Sequence, residues 1–215
     1  MDHRDAVARL ERLADHWSGR ALPGGPDVLM PQFTDGRLRP RLDVPDTARP
    51  AAVLVLVYPD ADGQSRLILT ERVTYDGHHS GEVSFPGGKA EAHDVDEVAT
   101  ALREAAEEVG LDAAAAGVRV VGRLDTVWIP VSDFRIAPIV AVAQRRPLLV
   151  GAPAEVARIV EPPLDAFLPD APIEIAERVI GSWPLRYGGY RIEGLHVWGA
   201  TARILGQLGA IVAGD

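Results

Sequence analysis

Between Gly87 and Leu111 the chain carries a glycine turn followed by a helix with two opposed faces. Gly87-Gly88-Lys89-Ala90-Glu91-Ala92-His93-Asp94 leads on to Ala101-Leu102-Arg103-Glu104-Ala105-Ala106-Glu107-Glu108-Val109-Gly110-Leu111. At about 100° per residue, with Glu104 at zero, Glu107 falls near 300°, Glu108 near 40° and Glu97 near 20°. Val95, Val98, Ala99, Leu102, Ala105, Ala106 and Val109 fall between about 100° and 220° on the same wheel. Such a helix is acidic on one side and apolar on the other, so it has to lie along a core with its carboxylates outward. Like charges at i,i+4 cost a few tenths of a kcal/mol per pair. Crowding Glu104, Glu107 and Glu108 therefore invites a cation. With no thiolate and no histidine in the cluster, oxygen donors suit Mg²⁺ or Mn²⁺. A solvated acidic face is the alternative reading.

The rest of the composition narrows the class. A chain of 215 residues, 47% hydrophobic and 25% charged, is one large domain or a domain with an extension. No apolar run reaches the ~20 residues of a membrane span. The first residues lack a signal-peptide pattern. Without cysteine there is no disulfide, thiolate metal site or thiol nucleophile, which fits a cytoplasmic protein. A net charge of -9 disfavours nucleic acid and acidic membranes as partners. It leaves room for an anionic substrate, because bound cations invert the local field.

Periodicity sets the order of elements. Asp5 to Trp17 reads as an amphipathic helix through Ala6, Val7, Leu10, Leu13, Ala14 and Trp17, and its apolar stripe fits a homodimer. Gly19 to Pro50 holds six prolines and reads as an extended connector, which gives an N-terminal region of 1–50 and a main domain of 51–215. Ala51 to Tyr58 is a buried strand, Pro59 to Gly63 a turn, and Arg66 to Thr70 its hairpin partner. The acidic helix begins at Asp94, paired with Glu97 as in a capping box, and stops at Gly110. Val118 to Ile129, Phe134 to Ala143, Glu174 to Ile180 and Leu185 to Ile192 read as strands. Ala154 to Phe167 reads as a turn with a short helical segment, and Trp198 to Val212 as a closing helix. Strands and helices interleave without a regular βαβ beat, so the expected fold is α/β, a mixed sheet with helices on both faces. Gly87-Gly88-Lys89 is not a phosphate-binding P-loop, since Val83 and Ala90 stand where Gly and Ser or Thr are needed.

The segment from Gly87 to Leu111 resembles the signature of the Nudix hydrolase superfamily. Its second half, Arg103 to Leu111, fits that signature at every position. In the first half Asp94 replaces the commoner Glu, and eight residues rather than seven separate it from Arg103. This insertion resembles the coenzyme A pyrophosphatase branch. So do Leu69-Thr70, Arg72, His79, Gly81, Phe85-Pro86-Gly87-Gly88, Glu155-Val156 before Val160-Glu161-Pro162-Pro163-Leu164, and the closing run from Tyr190 to Leu205. Val73, Asp76 and Gly77 depart from that branch where Ser, Leu and Arg are usual.

The resemblance implies an α/β/α sandwich and a pyrophosphohydrolase that cleaves the diphosphate of a nucleoside diphosphate linked to another moiety. Coenzyme A or an acyl derivative, ADP-ribose, NADH and dinucleotide polyphosphates are the substrates it brings into view. A nucleotide sensor without turnover would share the fold. The implied metal ligands are Glu104, Glu107, Glu108 and the Gly87 carbonyl. Arg103, at i,i+4 from Glu107, would orient that carboxylate, or else form a plain surface ion pair. Arg72 and Lys89 are the candidate substrate contacts. Glu155 is the candidate base or extra ligand, against a carboxylate at a helix start, with Glu91 and Asp94 as rivals. Losing an arginine at Gly77 weighs against coenzyme A, because guanidinium grips phosphate bidentately.

Overall fold

A computed structural model describes residues 1–13, 21–35, 44–73, 81–180 and 183–214. The expectations for Ala14, Trp17, Asp76, Gly77 and His79 lie outside the described residues. The frame is a six-stranded sheet. Strand β2 (Arg49–Pro59) runs parallel to β9 (Phe134–Ala143). Antiparallel neighbours are β3 (Ser65–Leu67) and β6 (Gly87–Lys89) beside β2, and β7 (Val118–Arg123) and β8 (Val127–Ile129) beside β9. The sheet is therefore mixed.

Alternation along β2 assigns its two faces. Ala52, Leu54, Leu56 and Tyr58 pack with Ala101, Ala105 and Val109 of helix α2 (Glu97–Val109). Val55 and Val57 pack on the other side with Ala6 and Leu10 of helix α1 (His3–Glu11) and with Leu205, Leu208 and Val212 of the closing helix (Gly199–Ala213). The molecule is an α/β/α sandwich. Because both faces are covered, the strand reads as an unbroken apolar run rather than an alternating one. The apolar stripe of α1, expected to serve a homodimer, is taken up by the chain's own core, where Ala6, Leu10 and Leu13 are buried. Leu29, from the proline-rich stretch, joins the same layer.

Several expectations are corrected. Helix α2 begins after Asp96, whose carboxylate accepts the Ala99 N–H at 2.7 Å. Asp94 is occupied elsewhere, and Val95, expected on the apolar face, lies outside the helix and is 89% exposed. Gly110 ends the helix in the left-handed region at φ 66°, as expected. Only Ser65–Leu67 forms the hairpin with β2. Strand β4 (Leu69–Arg72) leaves it to pair with β5 (Val83–Ser84) and with β10 (Val156–Val160), a strand set between the expected turn, which holds Glu155, and the expected short helical segment at Leu164–Phe167. The span 118–129 is two strands, interrupted where the Leu124 N–H bonds the Pro138 carbonyl at 3.0 Å. Strand β11 (Glu174–Ile180) pairs with β12 (Trp183–Ile192), which also pairs with β1 (Gln32–Phe33) and β13 (Leu195–Val197) in a separate sheet.

Candidate active site

Three pieces of chain meet along the second half of α2: β6 with its glycine pair, the outward face of α2, and the end of β4. The close approach of β6 to β2 on one side and to α2 on the other explains the glycines. A Cβ on Gly87 would lie 2.4 Å from the Ala52 carbonyl oxygen, and one on Gly88 would lie 2.5 Å from Glu104 Oε1. A side chain at Gly87 would run into the β2 backbone, and one at Gly88 would displace the Glu104 carboxylate.

Arg103 is the hub. Its Nε and Nη2 donate to the two oxygens of Asp94 at 3.0 Å each, and Nη2 also donates to the Lys89 carbonyl at 3.1 Å. Nη1 donates to Glu104 Oε1 and to Glu107 Oε2, both at 3.0 Å. The guanidinium thus ties the loop to the helix and orients two of the glutamates. Asp94 is held further by the Glu91 N–H and the Thr100 hydroxyl, each at 2.9 Å. Arg103 and these donors hold its carboxyl well below the usual range. An acid so fully bonded is a poor proton acceptor, which removes Asp94 as a rival base. Thr100 was missed in the sequence. A threonine buried between Ala99 and Ala101 needs a polar partner, and that need was the available signal.

Glu108 is 3% exposed. Its Oε2 accepts the Gly87 N–H at 3.1 Å, and its Oε1 lies 3.5 Å from Arg72 Nη1. Burial pushes its pKa up to about 7 despite both contacts, and the charges of Glu104 and Glu155 add to the rise. Glu104 is raised for the same first reason, against the pull of Arg103. Glu107 stays largely exposed and keeps the expected i,i+4 pair with Arg103. Glu97, grouped with the stripe on the helical wheel, pairs with Arg123 at 3.1 Å instead. Arg72 Nε is buried with no hydrogen-bond partner among the described residues, an orphan donor beside the glutamates.

Glu155 lies on an exposed turn before β10, so no helix start accounts for it. Backbone bonds place this turn beside the site. The Val73 N–H donates to the Glu155 carbonyl at 3.0 Å, and the Ala152 N–H donates to the Glu108 carbonyl at 2.8 Å. Its charge acts on both Glu104 and Glu108. Lys89 is exposed on β6, and the Glu91 carboxylate lies 3.6 Å from His93.

Among the described residues, no three carboxylates or imidazoles are already gathered around one point as metal ligands. The arginines stand against them instead. The donor set nevertheless fits a hard divalent cation. It is oxygen throughout, it crowds like charge in a partly buried slot, and the bare Gly88 backbone leaves room against Glu104.

Residues 48–176 match the NUDIX domain. Nudix hydrolase 15, mitochondrial, of Arabidopsis thaliana is 37% identical over 169 residues, 75% of this chain and 58% of its own length. The uncharacterized Nudix hydrolase NudL of Yersinia pestis is 35% identical over 170 residues, 75% of this chain and 79% of its own. The chain thus spans a little over half the length of the plant relative. The solved Nudix hydrolase RenU of M. smegmatis aligns with 55% of this chain and 73% of its own at 24% identity, with a TM-score of 0.46. No helix of the described residues is long and apolar enough to cross a membrane. With the domain matched across more than half of its residues, and a bacterial relative at 35% identity across most of that relative's length, the chain belongs to the NUDIX domain family.

Proposed function

We propose that this chain is a Mg²⁺- or Mn²⁺-dependent pyrophosphohydrolase acting on a nucleoside diphosphate linked to a second group. The observation that carries the reading is Arg103 binding Asp94, Lys89, Glu104 and Glu107 at once, with Glu108 buried beside them. Glu104, Glu108 and the Gly87 carbonyl would hold the cation, with Glu107 as a further ligand. Bound there, it supplies charge neutralisation of the phosphates and an acidified water. Arg103 keeps the glutamates oriented. Arg72, with its orphan Nε, and Lys89 offer charge to the phosphates. Glu155, exposed and electrostatically coupled to Glu104 and Glu108, accepts the proton of the attacking water. The family membership supports this chemistry, and the lack of cysteine supports a cytoplasmic setting.

Gly77 stands where the coenzyme A branch has an arginine, and Val73 and Asp76 depart from that branch beside it. We therefore expect coenzyme A to have no large advantage over ADP-ribose or NADH. Competition among the three at equal concentration, with phosphate monoester products measured, tests this. Coenzyme A favoured by orders of magnitude in kcat/KM would refute it. Excess EDTA should abolish turnover of all three, and Glu108→Gln should lower it by several orders of magnitude with the fold intact. Turnover that survives either treatment sinks the proposed mechanism.

A further inference from the structure

All but one of the 22 basic residues in this chain are arginine, and the exception is Lys89. It stands exposed on β6, and no ion pair among the described residues includes it. The pleat fixes the side from which it projects. Gly88 pairs with Ala52, and a Cβ there would meet Glu104, so that position faces α2. Neighbouring strand residues alternate. Lys89, paired with Ala51, therefore projects from the opposite face of the sheet.

On that face the pairing aligns Lys89, Ala51, Ile136 and Val127 in one row, and Arg49, Phe134 and Ile129 in the next. Farther along the same face, Val55, Val57, Val140 and Val142 are fully covered by the α1 layer. Here Val53, Phe134 and Ile136 are only half-buried. The Arg49 guanidinium lies 4.0 Å over the Phe134 ring, which leaves a second cation at the margin. The sheet thus ends in a partly open apolar floor, one strand away from the glutamates and edged by the only lysine.

We propose that the substrate straddles β6. Its diphosphate lies at Lys89, reaching the glutamates on the near side, and its organic group lies over the floor of Val53, Phe134 and Ile136. This assignment rests on the pyrophosphohydrolase reading. An ammonium on a flexible four-carbon stem can follow a phosphate around a strand edge, where a planar guanidinium would fix one geometry. An apolar floor with a few charged groups at its margin is the usual construction of a small-ligand site. In a chain of net charge -9, an exposed lysine with no ion pair among the described residues, one strand away from the glutamates, is placed to receive an anion.

Titration calorimetry in Mg²⁺, with ADP and inorganic pyrophosphate as probes, tests the assignment. Wild type should bind ADP more tightly than pyrophosphate, and equal affinity overturns the floor. Lys89→Met should weaken both probes about tenfold or more, the worth of a lost charged hydrogen bond. Ile136→Asp should weaken ADP about tenfold and leave pyrophosphate nearly unchanged, and unchanged ADP binding overturns the proposal. A measurement on wild type avoids any question of folding. Reductive methylation can modify only Lys89 and the terminal amine, and ADP with Mg²⁺ should slow it severalfold at Lys89. Undiminished labelling overturns the proposal. None of these readouts needs turnover. A chain that shows them all yet releases no monophosphate refutes the hydrolase reading and leaves the binding mode standing.

Discussion

Glu108 shows how burial sets the behaviour of one carboxylate. Its pKa is raised from 4.5 to about 7, with desolvation as the largest cause. Between those two values the folded chain keeps a proton that the unfolded chain has released. Stability must then fall as pH rises through that window, the reverse of an ordinary salt-bridged acid. Glu108→Gln, which imitates the protonated form, should be free of this loss. In EDTA, the Tm of wild type relative to the variant should decline from pH 4.5 to pH 7. A difference that stays flat would mean that Arg72 and the Gly87 N–H already compensate the charge. Asp94 behaves in the opposite way, since its lowered pKa contributes stability that is lost only as pH falls below the usual carboxylate range. Two acids of one short segment thus diverge because one faces a dry slot and the other faces Arg103.

At the scale of elements, what was legible in the sequence was what short-range chemistry dictates. Phe134–Ala143 and Glu174–Ile180 match their expected bounds because stretches rich in Ile and Val between turn residues admit few other readings. The glutamate face of α2 was legible because helical spacing alone aligns Glu104 with Glu108. Pairing between distant segments was not legible. Leu69–Arg72 carries no local mark that its partner is Val156–Val160 rather than β2. The cap was misplaced because Asp94 and Asp96 both qualify, and only the position of Arg103 separates them. The same long-range pairing brings the Glu155 turn to the site, so its role is open to a test at this scale. If Glu155 is the base, Glu155→Gln should cut kcat about 10²–10⁴-fold with Mg²⁺ dependence unchanged. If it is a ligand, the Mg²⁺ requirement should rise and high Mg²⁺ should rescue the rate. A variant with neither effect leaves proton removal to Glu91 or to the metal-bound water alone.

Across the whole molecule, one sheet serves two layers with different work. The α2 side carries the carboxylates, while the part of the other side covered by α1 and the closing helix is apolar and lies away from them. Residues from the first thirty positions enter that second layer, with Leu10 fully buried and Leu29 nearly so. The N-terminal region is therefore part of what holds the sheet, although it contributes none of the glutamates. Leu10→Ala should remove that support selectively. A buried leucine truncated to alanine costs about 2–5 kcal/mol, and at this chain length each kcal/mol lowers Tm by about 2–4 °C. The variant should melt markedly earlier. Well below its Tm, it should keep the wild-type Mg²⁺ requirement and kcat, because no atom of the glutamate slot has moved. Thermal melts and a Mg²⁺ titration of the same preparation separate the two quantities. A variant that loses turnover in step with stability would show that the two layers are coupled through β2, and that the remote face helps set the geometry of the site.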